Sequence, residues 1–220
     1  MKIYDERTAN DYDNLRSGHL LTRRSEIIKD YVVEIKETRT IKIAEVGSGT
    51  GIMGYLLSGQ FPSIQFDSYD NNQGFINYAS EHYARNNLSF QYMDIEKDST
   101  SQKYDIVFSV DMLHHLKDLK AGINNVCKML KTSGHWIIIE PNIGNPYIYL
   151  YQLFAKNEGL FVPALAEKEI VKYFTVIQKK YAFIIHSAFK RPFKWLIFLE
   201  RQIENNGLLG GSVVYLLKKR

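Results

Sequence analysis

Five short apolar runs, each closing on or beside a carboxylate, constrain the fold of this 220-residue chain more than any other feature. The runs are residues 41–46, 64–69, 88–92, 104–110 and 136–140, and the acids are Glu45, Asp70, Asp94, Asp111 and Glu140. Helical spacing fills the gaps. Residues 73–85 form one amphipathic segment, and Leu119, Ile123, Val126, Cys127 and Leu130 line one face of another, expected to end near Gly134. Before the first run, Leu20, Leu21, Ile27, Ile28, Tyr31, Val32 and Ile35 recur at the same period. Strands apolar on both faces, alternating with helices, predict an α/β domain built on a parallel sheet with both faces covered. Ligands of such sheets sit beyond the carboxyl ends of the strands, so the acids fall where a site belongs.

The loop after the first strand carries that argument further. In IAEVGSGTGIMG, counting from Gly47 gives Gly-x-Gly-x-Gly, and counting from Gly49 gives Gly-x-Gly-x-x-Gly ending at Gly54. The second spacing belongs to dinucleotide sites. Asp70, 21 residues after Gly49, suits a ribose in either case and does not discriminate. Counted from the turn at Gly47, the dinucleotide fingerprint fails, because its third position is Ile52. A short-chain dehydrogenase pair fails too. The lone Tyr-x-x-x-Lys is Tyr215 with Lys219, in an expected strand that would hold them roughly 13 Å apart at about 3.3 Å per residue.

AEVGSGTG, SYDNN, YMDIE and the long segment KYDIVFSVDMLHHLKDLKAGINNVCKMLKTSGHWIIIEPN, taken together, resemble the class I S-adenosylmethionine-dependent methyltransferases. The likeness is to the branch that methylates small molecules, quinones and lipid- or sugar-linked acceptors, and it covers residues 41–142. One departure is KTSG at residues 131–134, where the family usually has Lys-Pro-Gly-Gly. The resemblance implies one doubly wound, mostly parallel seven-stranded sheet with an antiparallel C-terminal edge strand, the Rossmann-like methyltransferase fold. It also implies one domain: a helical lid in residues 1–40, a cofactor core in 41–142, and acceptor-recognition elements with the C-terminal strands in 143–220.

The cofactor implied is S-adenosyl-L-methionine, released as S-adenosyl-L-homocysteine. By the same resemblance Gly47, Ser48, Gly49 and Gly51 line it, and Glu45 fixes its amino-acid end. Asp70, with Asn71 beside it, takes the ribose hydroxyls, and Asp94 takes the adenine amine with Ile95 beside the ring. Ser109 and Val110 sit at the fourth strand end, where main-chain groups of the family meet the methionine moiety. Tyr4, Tyr12 and Arg16 match a pattern that closes over the cofactor, and Asn142 and Tyr147 fall among the acceptor-binding elements.

Methyl transfer from a sulfonium demands positioning first, and a general base only where the acceptor must lose a proton. His114 and His115 titrate in the useful range, and Glu140 closes the fifth strand beside them. Each has a plainer reading: packing for the histidines, holding backbone for Glu140. A metal site is not expected, since the adjacent His pair has no Cys/His cluster around it. Asn145-Pro146-Tyr147 follows the fifth strand and not the fourth, which removes support for amine methylation of nucleic-acid bases.

Residues 168–220 hold 11 Lys or Arg against three acids, a net of +8, within a total of +4. Such a segment suits an acidic partner (nucleic acid, anionic lipid, phosphorylated substrate) or is simply a solvated basic face. Residues 174–185 and 212–217 read as an antiparallel edge pair, with residues 191–205 helical between them. That helix has too many apolar residues for one narrow stripe. It is expected to be a core helix with a basic solvent side, or to meet an apolar ligand, with Lys190, Arg191 and Lys194 suiting an anionic membrane contact. A single cysteine, no signal peptide and no long apolar run lead to the expectation of a cytoplasmic protein. The alternatives kept open are an RNA methyltransferase using the basic region and a cofactor-binding module without catalysis.

Overall fold

The computed structural model describes residues 11, 13, 18–36, 40–154, 161–185 and 189–220. Seven strands form one sheet: β1 (Lys42–Val46), β2 (Gln65–Asp70), β3 (Leu88–Tyr92), β4 (Tyr104–Val110), β5 (Leu130–Pro141), β6 (Phe174–Ala182) and β7 (Ser212–Lys219). Their order is β3-β2-β1-β4-β5-β7-β6. The first five pair in parallel, β7 runs antiparallel to β5, and β6 pairs antiparallel to β7. The C-terminal strand is thus the antiparallel one, as expected, and the edge itself is β6. Strand order reverses between β1 and β4, which opens a crevice at their carboxyl ends.

Side-chain alternation divides the core between the two faces. In β5, Ile137 and Ile139 pack with α1 (His19–Lys36) and α2 (Ile52–Gln60), which contribute Ile27, Ile28, Val32, Met53 and Leu57. Trp136 and Ile138 pack on the other side with α4 (Leu119–Met129) and α6 (Pro163–Ile170). Between these lie α3 (Gln73–His82), beside β2 and β3, and α5 (Pro146–Phe154); α7 (Lys194–Ile203) precedes β7. The N-cap of α3 is Asn72, whose side chain accepts from the amides of Gly74 and Phe75.

Helix α4 stops at Met129, five residues before the expected end at Gly134. Leu130 leaves the helix to pair with Tyr104, and the ladder shifts register before Ile106 meets His135. The intervening KTSG segment carries Ser133 at φ 59°, a left-handed turn position. Helix α6 lies in a stretch whose pattern signalled no element. Far from the crevice, Asp67 accepts from Tyr104 Oη at 2.9 Å and Ser89 Oγ at 2.8 Å and pairs with Lys42 Nζ at 2.7 Å. Burial pushes its pKa up, but these three partners outweigh burial and hold it below the usual carboxylate value.

Candidate active site

A cleft opens at the switch between β1 and β4, lined by Leu21, Arg24, Glu45, Gly47, Ser48, Thr50, Ile52, Met53 and Val110. The glycine loop builds its floor. Gly47 sits at φ 75° and Gly51 at φ 82°; a Cβ on Gly47 would strike Met112, and one on Gly51 would strike the Phe90 ring. Gly54 has a different task. A Cβ there would lie 2.6 Å from both Glu45 Oε2 and Ser68 Oγ, so its absence lets α2 press against β1 and β2.

The loop's own hydrogen bonds answer the question its spacing raises. The amides of Gly47 and Ser48 both donate to the Tyr69 carbonyl, at 2.8 and 2.9 Å, and Gly51 N donates to the Ser48 carbonyl at 3.0 Å. Gly49 N donates to Asp70 Oδ2 at 2.7 Å, while Asn72 N donates to Asp70 Oδ1 at 2.9 Å. A pyrophosphate cradle needs outward-pointing amides, and these four are already engaged; a carboxylate stands against the loop as well. The arrangement fits a ligand with hydroxyl and ammonium groups. Carboxylate oxygens accept more than one hydrogen bond each, so Asp70 can brace the loop and still receive hydroxyls. Ser48 Oγ, buried in the cleft lining, has no hydrogen-bond partner among the described residues. Glu45 is buried and accepts from Ser68 Oγ at 2.7 Å.

A family model for methyltransferase domains matches residues 37–188, most of the chain. The chain belongs to the class I S-adenosylmethionine-dependent methyltransferases. Its cofactor is therefore S-adenosyl-L-methionine, leaving S-adenosyl-L-homocysteine. Among curated relatives, a malonyl-[acyl-carrier protein] O-methyltransferase of Acetivibrio thermocellus is 27% identical over 134 residues, 61% of this chain and 46% of that protein. A highly reducing polyketide synthase of Calcarisporium arbuscula is 34% identical over 169 residues, 72% of this chain and 6% of the synthase. The chain thus spans less than half the length of the first relative and a small fraction of the second. A solved S-adenosylmethionine-dependent methyltransferase from Clostridium acetobutylicum superposes with a TM-score of 0.69 at 16% identity, covering 96% of this chain and 97% of that one, a likeness of fold.

Within this methyltransferase, the remaining candidate residues fall at several distances from the cleft. Val110 lines it; Ser109 does not point there, because its Oγ accepts from Trp136 Nε1 at 3.1 Å inside the sheet. Asp94 and Ile95 follow β3, and Asp94 accepts from Glu96 N at 3.0 Å and from Lys97 Nζ at 2.6 Å. The Lys97 bond, with the Glu96 amide, lowers its pKa against the opposing effect of burial. Asn71 is exposed beside Asp70.

Glu140 is fully buried, and its carboxylate accepts from Met112 N at 2.8 Å, Leu113 N at 2.6 Å and His114 Nδ1 at 2.7 Å. It pins the short 3-10 turn Leu113–His115 after β4. The two histidines differ: the His114 side chain is 1% exposed, whereas His115 is exposed, with ring centroids 4.0 Å apart. Asn142 is also buried, its Nδ2 donating to the carbonyls of Gly207 and Gly210 and its Oδ1 accepting from Gly144 N. Tyr147 is exposed on α5. Tyr4, Tyr12 and Arg16 lie outside the described residues.

Two features of the site were not legible in the sequence. Arg24 reaches from α1 across the cleft to grip Asp111 through both oxygens, at 2.8 and 3.0 Å. Asp111, at φ 51°, is held in the left-handed region just past β4. Asp13, buried, accepts from the Thr50 and Tyr83 hydroxyls, the first of them in the glycine loop. Among the described residues no group of three or more His, Cys, Asp or Glu is arranged to hold a metal ion. None of the described helices is long and apolar enough to cross a membrane.

Proposed function

We propose that this protein transfers the methyl group of S-adenosylmethionine to a small-molecule or lipid- or sugar-linked acceptor by in-line displacement. Bound in the cleft, the cofactor supplies a methyl already activated on a sulfonium. The chain's part is then to hold, orient and exclude water. The observation that carries the reading is the glycine loop with its amides at 47, 48, 49 and 51 engaged and Asp70 against it, which suits a ribose and an amino acid better than a pyrophosphate.

In this reading Asp70 and Asn71 receive the ribose, Glu45 and Ser48 the amino-acid end, Asp94 and Ile95 the adenine, and Val110 with the Ser109 backbone the methionine chain. Glu140 is a positioning residue: both its oxygens are committed to the 113–115 turn and to His114. Glu140 fixes the orientation of the His114 ring through Nδ1, at 2.7 Å. His114 and His115 are the bases in this reading where the acceptor is an alcohol or phenol that must lose a proton. Tyr4, Tyr12 and Arg16 close the site, and Asn142 and Tyr147 belong to the acceptor side.

The RNA alternative draws on the basic C-terminal quarter, but part of that charge is spent internally. Lys179 pairs with Glu167, Lys172 with Glu169, and Lys219 donates to the carbonyls of Cys127 and Leu130. The test is transfer of labelled methyl onto a panel of phenols, carboxylic acids, acyl thioesters, detergent-dispersed lipids and total RNA. Turnover on a small or lipid-linked acceptor, abolished in Asp70→Ala, is expected. Label appearing in RNA alone would move the function to the alternative, and tight cofactor binding with no turnover anywhere would leave a binding module.

A further inference from the structure

Helix α7 is built the reverse way round. A surface helix normally buries its apolar stripe and presents charge to water. Here the buried residue is Glu200. Its Oε2 meets His19 Nε2 at 2.8 Å, its Oε1 accepts from Ile185 N at 2.8 Å, and Arg23 of α1 donates to the neighbouring Glu204 at 2.6 Å. The polar side is thereby anchored inward on α1. Trp195, Phe198 and Leu199, at i, i+3 and i+4, form an outward stripe, and Phe193 before the helix and Leu208 after it are exposed as well. These five are 45–73% exposed. The expectation of a buried core helix is overturned, because its ion pairs, and not its aromatics, hold it to the protein.

We propose that this face is a docking surface for an anionic lipid bilayer, entered to the depth of the side chains and not spanned. The Trp195 indole N–H suits the boundary between headgroups and acyl chains, and exposed Gln202, which continues the stripe at i+4 from Phe198, places a second polar group at its end. Arg191 and Lys194, both exposed, stand beside it, with Lys190 next in the chain, in a segment of net +8 against −4 for the rest. An apolar stripe rimmed by cations is the composition of an interfacial helix, and the cations select anionic headgroups. Position adds purpose. Helix α1, which holds Glu200 and Glu204 through His19 and Arg23, also sends Leu21 and Arg24 into the cleft, so docking sets the cleft one helix from the lipid surface. The surface stands independently of which acceptor is methylated.

The test is co-sedimentation of the full chain with phosphatidylcholine vesicles, with and without phosphatidylglycerol, followed also by tryptophan emission. Trp136 is fully buried, so a shift on binding reports Trp195. Binding at least about tenfold tighter to the anionic vesicles is expected, with a blue shift. Trp195→Ser with Phe198→Ser should abolish binding, and Arg191→Glu with Lys194→Glu should remove the preference for anionic lipid. All four side chains point outward, so an unchanged melting temperature shows that each variant is folded. Absence of vesicle binding overturns the proposal, as does equal binding by the Ser variants. A concentration-dependent dimer that the Ser variants dissolve, without vesicle binding, assigns the face to a second copy instead. Capture of an acidic carrier protein without vesicle binding assigns it to that protein.

Discussion

Glycine-to-alanine changes in a helix usually stabilise it, by about 1 kcal/mol in the interior. In α2 the same change should act oppositely at two positions five residues apart. A Cβ on Gly54 would lie 2.6 Å from Glu45 Oε2 and Ser68 Oγ, two buried oxygens hydrogen-bonded to each other at 2.7 Å. Ordinary contact begins near 3.4 Å, so both must retreat by about 0.8 Å or α2 must lift from the sheet. Overpacking of this kind costs about 1–3 kcal/mol. Losing the buried Ser68–Glu45 bond adds a further ~1–3 kcal/mol. Against a gain of ~1 kcal/mol, Gly54→Ala should be destabilised by about 1–5 kcal/mol.

Gly59→Ala meets only the flexible end of Arg85, at 3.0 Å, and should be neutral or more stable by up to ~1 kcal/mol. Guanidinium unfolding of both variants measures the difference, and calorimetric titration measures the consequence, since Glu45 lines the cleft. Gly54→Ala should also bind S-adenosylhomocysteine more weakly than Gly59→Ala. If Gly54→Ala proves as stable as Gly59→Ala, the close packing of α2 on Glu45 is wrong.

Other consequences follow from single groups. Glu140→Gln replaces an acceptor of three hydrogen bonds with an amide whose NH2 faces donors; a loss of about 2–4 kcal/mol of stability and an altered pH profile of kcat/KM should accompany it. Gln152 is buried, and neither atom of its amide has a hydrogen-bond partner among the described residues, so Gln152→Leu should raise stability by about 1–3 kcal/mol in thermal unfolding. The lowered pKa of Asp67 contributes stability that is complete above its unfolded value, near ~4, and is lost as pH falls through the lower folded value. Unfolding curves across pH 7 to 2 should steepen in that acid window and flatten in Asp67→Asn.

What could be read in the chain and what could not divide along physical lines. Runs such as residues 104–110 and 136–140 announce buried strands because every residue must be apolar when both faces are covered, and the order of those runs with the glycine loop carried the family resemblance. Helix α5 was visible only as an aromatic-rich stretch: apolar nearly all round, it has no period to read, and its aromatics lie exposed. Helix α7 misled for a related reason, since composition does not tell which face an amphipathic helix turns inward. That choice was made by Glu200 meeting His19, a partner 181 residues away. Within the site, the acids at the strand ends were legible as a class, but not their separate tasks. Glu140 spends itself on two amides and His114, Asn142 on the 207–210 loop, and Arg24 on Asp111; each depends on a contact that only the folded chain creates.

The central claim is that the loop from Gly47 to Gly54, with Asp70 against it, is built for a sulfonium nucleoside and not for a pyrophosphate. Calorimetric titration with S-adenosylmethionine and S-adenosylhomocysteine, with NADH as comparator, tests it most directly. Micromolar binding of the two sulfur ligands is expected, weakened at least about tenfold in Asp70→Ala through loss of charge-assisted hydrogen bonds, with no heat from NADH. Binding of NADH without binding of either sulfur ligand would contradict the account.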